Sequence, residues 1–131
     1  MSKPAPAQTV SISPPRSVEK PWGGELIFAH TERYVGKILR IEAGHSLSRQ
    51  YHEVKDETIY VMEGTLTLEI GAAPEIQVNK VATGEGFRVR PGVIHRFRAD
   101  ARVVLLEVST PELDDVVRLE DNYGREGTSA P

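Results

Sequence analysis

Gln50, His52, Glu57 and His95 have the types and the spacing of a metal site. Gln50 and His52 are two residues apart, so on a strand both side chains point to one face. A short polar run, Glu53 to Asp56, reads as a turn that returns the chain into a second strand beginning near Glu57. The segment Arg90–Pro91–Gly92–Val93–Ile94 then places a Pro-Gly turn immediately before His95, which feeds that ring into a further strand. Two imidazoles, one carboxylate and one amide oxygen form a hard-to-borderline N/O donor set. One divalent metal is therefore expected, with zinc the first choice and Mn, Fe, Co or Ni also accepted. Four protein ligands leave one or two positions for water or substrate if the ion is five- or six-coordinate. The chain has no cysteine, so thiolate ligands, disulfides and cysteine nucleophiles are excluded.

These residues need strands to carry them, and the sequence supplies strand signals throughout. Short β-favouring runs are expected at Glu25–His30, Tyr34–Ile41, Ser46–His52, Thr58–Glu63, Thr65–Ile70, Ile76–Val81, Gly86–Val89, His95–Arg98 and Arg102–Ser109. Leu66, Leu68 and Ile70 alternate with Thr65, Thr67 and Glu69, the period of a half-buried strand. Glycines 44, 64, 71, 84 and 92 punctuate the runs. Only Pro111–Leu119 reads as a short C-terminal helix, with Pro at its start and acids in its first turn. This pattern predicts an all-β sandwich or closed barrel.

The 131 residues suit one domain, expected over residues 16–125. Residues 1–15 are Pro-, Ala- and Ser-rich and read as a flexible tail, although Thr9–Ser13 alternates like a strand and offers an edge to a neighbouring subunit. Residues 126–131 read as unstructured. A net charge of −3 with interspersed signs predicts no nucleic-acid partner. The N-terminus lacks a basic-then-apolar order and no apolar run could span a bilayer, so no membrane partner and a cytoplasmic location are expected.

Gly44, Gln50, His52, Glu57 and Gly64 together resemble the first cupin motif, with Gln where many cupins carry His. Pro91, Gly92 and His95 resemble the second. The resemblance implies a single cupin, a double-stranded β-helix of jelly-roll type. More narrowly, Lys20–Gly23, Ser46–Ser48 and the run Asp114–Arg125 resemble type II mannose-6-phosphate isomerases, over about Val18 to Arg125. In those enzymes the cupin is usually the C-terminal half beside a nucleotidyltransferase half, and nothing in these residues resembles that half, so the resemblance implies no GDP-mannose synthesis. Where that family shows His-x-His-Arg-x-Glu-His-Trp, this chain has Val54, Lys55, Thr58 and Ile59 at the third, fourth, seventh and eighth places, and Ala99 replaces an Asn.

The resemblance implies a metal-dependent aldose–ketose isomerase acting on a sugar or sugar phosphate. The general base would be Glu107 or Lys55. Arg88, Arg98, Arg118 and Tyr51 would bind substrate, guanidinium forks being suited to phosphate oxygens. Two other readings share the barrel: a metal-dependent oxygenase or lyase, and a non-catalytic sugar-binding module. Small cupins commonly pair, so a homodimer is expected. His30 and His45 lack ligand spacing, and Trp22 is expected to pack over one end of the fold.

Overall fold

A computed structural model describes residues 3–128, so Met1, Ser2 and residues 129–131 of the expected tails lie outside it. Eleven strands run in the order β1 (Arg16–Lys20), β2 (Gly23–His30), β3 (Val35–Ile41), β4 (Arg49–Tyr51), β5 (Glu57–Glu63), β6 (Leu66–Ile70), β7 (Gln77–Val81), β8 (Gly86–Val89), β9 (His95–Arg98), β10 (Val103–Ser109) and β11 (Val117–Glu120). They form two antiparallel sheets, a six-stranded one ordered β1-β2-β3-β10-β5-β8 and a five-stranded one ordered β11-β4-β9-β6-β7. The two sheets do not join into a closed barrel; β1 and β8 edge one, β11 and β7 the other.

Alternation builds the core. Leu39 and Ile41 on β3, Ile59 and Val61 on β5, and Val103 and Leu105 on β10 turn inward from the larger sheet. Leu66 and Leu68 on β6 and Phe97 on β9 meet them from the smaller one, and Trp22 closes against the same cluster. Fully burying side chains of this size contributes about 1.5–3 kcal/mol each.

The helix expected over Pro111–Leu119 is absent, and there is no helix among the described residues. This segment forms a loop and then β11, which pairs with β4 through Val117↔Tyr51 and Arg118↔Gln50. The cause is tertiary. The Asp115 carboxylate accepts hydrogen bonds from the backbone N–H groups of Glu53, Val54 and Lys55 at 3.0, 2.8 and 2.8 Å. Three bonds to a distant loop, with two β-branched valines following, outweigh a weak helical propensity. Residues 3–15 carry no strand and are exposed, including Thr9–Ser13. No described helix is long and apolar enough to cross a membrane.

Candidate metal centre

The local chain geometry brings the predicted ligands together. Gln50 on β4 lies directly opposite His95 on β9. The Pro-Gly turn before β9 is pinned to the first motif, because the Gly92 N–H donates to the His52 carbonyl at 2.7 Å. Gly92 holds a φ of 82°, which a side-chain-bearing residue rarely adopts. Glu57 opens β5 with its side chain turned in from the opposite sheet, and is 3% exposed.

His52, Glu57 and His95 are all buried, with one donor atom from each lying within 4.8 Å of the others. Glu57 Oε1 stands 3.7 Å from His52 Nε2 and 3.5 Å from His95 Nε2. Both separations exceed a hydrogen bond. Two donors sharing one tetrahedral zinc stand about 3.4 Å apart, given bonds near 2.1 Å. The far nitrogens of the rings are occupied: His52 Nδ1 meets the Asp115 carbonyl, and His95 Nδ1 meets the Val93 carbonyl at 2.9 Å. Each Nδ1–H therefore donates, which leaves the Nε2 lone pairs aimed at the shared centre. Both Nε2 atoms are buried without a hydrogen-bond partner. Orphaned acceptors of this kind are costly unless a cation takes them. Burial also holds His95 below its ordinary pKa, favouring the neutral, ligating form over the charge-paired one. The residues fit a divalent ion.

Gln50 is the fourth predicted ligand. Its Oε1 accepts from Ser48 Oγ at 2.6 Å, which fixes the amide orientation while leaving the oxygen a second lone pair.

Beyond the three clustered residues sits a buried charge triad. Lys55 Nζ lies 3.1 Å from Glu57 Oε2 and 3.0 Å from Glu107 Oε2. Burial alone would discharge the lysine, but Glu107 and Glu57 outweigh it and hold the ammonium above its usual range. Burial likewise disfavours the Glu57 carboxylate, yet His52, Lys55 and His95 outweigh it and keep it ionised well below the usual range. Glu107 moves the other way. Burial first, then the negative charge of Glu57, push its carboxyl up against the pull of Lys55 and Lys37.

All of these groups except His95 line one cavity of about 340 Å³, which Arg118 also lines. Arg118 donates from Nη1 to the Thr128 carbonyl at 2.8 Å, while its Nε is buried with no hydrogen-bond partner. The remaining candidates lie outside that lining. Arg88 clasps Asp56 through Nε at 2.9 Å on the outer face of the larger sheet. Arg98 donates to Glu69 at 2.7 Å on the outer face of the smaller one. Tyr51 is half-buried on β4, opposite Val117. Sequence reasoning did not single out Glu25 and Lys37, paired at 3.2 Å in the cavity wall, nor Asp115 and Ser48 as supports of the ligands. Their inward parity on β2 and β3 was the available signal for the first two. His45 instead meets the Tyr123 hydroxyl at 2.8 Å, away from the cluster.

Two facing antiparallel sheets with a His–Glu–His cluster between them define an all-β protein with a candidate metal site. Residues 37–109 match the cupin domain family (Cupin_2), and the chain belongs to that family. It is 33% identical over 115 residues to the mannose-1-phosphate guanylyltransferase ManC of Salmonella typhimurium, covering 84% of this chain and 23% of that protein. It is 30% identical to the xanthan biosynthesis protein XanB of Xanthomonas campestris, covering 84% of this chain and 24% of that protein. The chain thus spans about a quarter of the length of these curated relatives. Among solved structures, Staphylococcus aureus CapF superposes with a TM-score of 0.70 at 19% identity, over 82% of this chain and 34% of CapF. KdgF from Halomonas sp. gives 0.63 at 19%, over 70% of this chain and 82% of KdgF. At these identities the structural likeness shows the fold.

Proposed function

We propose that this protein is a metal-dependent aldose–ketose isomerase acting on a sugar or sugar phosphate, with Gln50, His52, Glu57 and His95 holding the ion. The observation that carries the reading is the convergence of two orphaned imidazole nitrogens and Glu57 beside the buried Lys55–Glu107 pair, with Glu57, Lys55 and Glu107 all lining one cavity. The similarity to ManC and XanB, proteins named for mannose 1-phosphate and xanthan chemistry, supports a sugar-derived substrate.

A divalent ion held by this set supplies Lewis acidity at the substrate carbonyl. Glu107 is the general base in this reading. Its raised affinity for a proton brings the carboxylate towards the operating range of a base. It takes the proton from the carbon bearing the hydroxyl and returns it to the former carbonyl carbon, while a second proton passes between the two oxygens. Lys55 remains protonated, holds Glu107 in place and favours negative charge on the reacting oxygens. Arg118, with its unpartnered Nε facing a buried setting, is the group for a phosphate or a cluster of hydroxyls.

The test is interconversion of mannose 6-phosphate and fructose 6-phosphate, with free hexoses and pentoses alongside. Chelator-sensitive turnover that returns with added metal and disappears in Glu107→Gln is the expected result. Stoichiometric metal with no turnover of any pair would overturn the isomerase reading.

A further inference from the structure

Two runs of sequence are only partly used by the metal site: Lys20–Gly23, and Asp114–Arg125 beyond Asp115. They are far apart in the chain, yet both reach the cavity, one through Lys20 and Trp22, the other through Arg118 and Arg125. Lys20 ends β1, which edges the larger sheet, and Arg118 lies on β11, which edges the smaller one. A row of alternating charge leads there from the candidate ligands. Glu57, Lys55 and Glu107 are in contact, and Lys37 lies directly opposite Glu107 across β3 and β10. Lys37 bonds Glu25 at 3.2 Å, and Lys20 ends the row. Its Nζ is 3.9 Å from Glu25, beyond hydrogen-bond reach, although only 14% of the side chain is exposed.

Arg118 is in the same condition. It is 8% exposed, its Nη1 donates to the neutral Thr128 carbonyl, and its Nε is buried without a partner. Asp121 attracts it but is clasped by Arg125 at 2.7 and 3.0 Å. The pairs Lys37–Glu25 and Arg125–Asp121 are each neutral, which leaves Lys20 and Arg118 as two sequestered positive charges. Arg16 and Asp114, both exposed, bring one charge of each sign to the lining. Burial holds Lys20 below its ordinary pKa; Glu25 opposes this, and repulsion from Lys37, Arg118 and Arg125 adds to it. Burial, then Arg125, lowers Arg118 in the same way. Cations that repel one another out of water are a cost that a bound anion removes.

We infer that Lys20 and Arg118 form an anion subsite at the end of the cavity away from the candidate ligands, built for a doubly charged group such as a phosphate monoester, with Lys20 setting specificity. Two uncompensated positive charges match a dianion, whereas a carboxylate would neutralise only one. The guanidinium supplies donors in a fixed plane and the ammonium a mobile point charge, a combination suited to tetrahedral phosphate oxygens. Trp22, Leu39, Leu47 and Phe97 also line the cavity, and this apolar wall strengthens charge pairing inside it. At about 340 Å³ the space takes one small molecule, near the lower end of the usual range of about 300–1,000 Å³. As a statement about substrate, the inference rests on the isomerase reading and narrows it to a sugar whose phosphate lies remote from its carbonyl. Anion binding itself does not depend on that reading.

The experiment is calorimetric titration of the chelated full chain with inorganic phosphate at low salt. One phosphate per chain is expected. Lys20→Met and Arg118→Met should each raise its dissociation constant by about 10–100-fold, with circular dichroism and metal uptake as in wild type. Lys20→Met keeps the length of the side chain on an edge strand, and it carries the test should Arg118→Met not fold. Arg102→Met, outside the cavity lining, should leave phosphate binding unchanged. Acetate should bind far more weakly than phosphate, and mannose should not compete with it. A chelated wild type that takes up no phosphate at millimolar concentration overturns the inference. So does phosphate binding untouched by Lys20→Met, or acetate that binds as tightly as phosphate. Phosphate binding lost in Lys20→Met, with no turnover of any sugar, would keep the subsite and remove the isomerase. Equal turnover of free and phosphorylated hexoses without phosphate binding would do the reverse.

Discussion

Replacing Lys55 by methionine removes the one ammonium between two buried carboxylates and keeps the length of the side chain. Lys55, Glu57 and Glu107 are 5%, 3% and 3% exposed, so water cannot take over the lost charge. Across the two contacts of 3.1 and 3.0 Å, attraction at an effective dielectric near 20 is roughly 5 kcal/mol per pair before desolvation is subtracted. Most of that gross attraction offsets the burial of three charges. What remains measurable is the cost of leaving carboxylates without a counter-charge, about 3–5 kcal/mol. For a chain of this size about 4 °C accompanies each kcal/mol, so the melting temperature should fall by about 12–20 °C. The assay is thermal and urea unfolding of chelated wild type and Lys55→Met, followed by circular dichroism. Adding Glu107→Gln should recover part of the loss, because one of the two stranded charges is then neutral. Metal should narrow the gap too, since a divalent ion at Glu57 replaces one of the contacts the lysine made. A Lys55→Met protein within about 1 kcal/mol of wild type would refute the reasoning. So would a double variant whose loss is the simple sum of the two single losses.

His52→Ala and His95→Ala should each lose stoichiometric metal while the sheets remain, checked by elemental analysis and circular dichroism. Ser48→Ala frees the Gln50 amide to rotate and should weaken metal binding by about 10–100-fold by competition titration. Gln50→His should keep the ion and shift preference towards iron or copper; unchanged selectivity would show the amide to be incidental. Asp115 is held below the usual carboxylate range: burial raises its pKa, and the N–H bonds from Lys55, Val54 and Glu53 more than offset that. A depressed folded pKa contributes stability that is present above about pH 4, the unfolded value, and is lost as pH falls through the folded one. Unfolding measured from pH 6 downward should therefore show a flatter acid limb in Asp115→Asn than in wild type.

The convergence of His52, Glu57 and His95 was legible because strand parity and turn chemistry are local. Gln50 and His52 two apart, and a Pro-Gly turn before His95, say where those side chains point without any knowledge of packing. The same parity, applied further, separates the arginines. Arg98 is three residues beyond His95 on β9 and so faces outward, whereas Arg118 pairs with Gln50 and shares its inward side. β1 was missed because Arg16–Lys20 is mostly charged and polar, and β11 because Val117–Leu119 lay within the run read as a helix. The helix expected at Pro111–Leu119 fails because Asp115 satisfies three backbone groups some sixty residues away, a contact that no window of sequence contains. The closed barrel fails likewise, since whether edge strands meet is decided by pairings across the whole chain.

The differences from the type II isomerase pattern gain meaning once they are placed. Val54 is 60% exposed on the turn after His52, outside the cavity. Thr58 points outward from β5, opposite Val108 and Arg88, on the face away from the ligands. Ile59 is fully buried in the core, as is Ala99 at 2% exposure, and neither lines the cavity. Only Lys55, where that pattern has arginine, lies against the candidate ligands, and it keeps the positive charge. A shorter cation at that position is able to lie buried between two carboxylates at about 3 Å, bonding each as a point charge. The substitutions that look most damaging in the sequence therefore fall on solvent, on the outer sheet face or in the core. Gln50, His52 and Glu57 line the cavity together with the buried Glu107 and Lys55. Under the proposed function these supply the donors, the base and the fixed positive charge that proton transfer beside a Lewis acid requires.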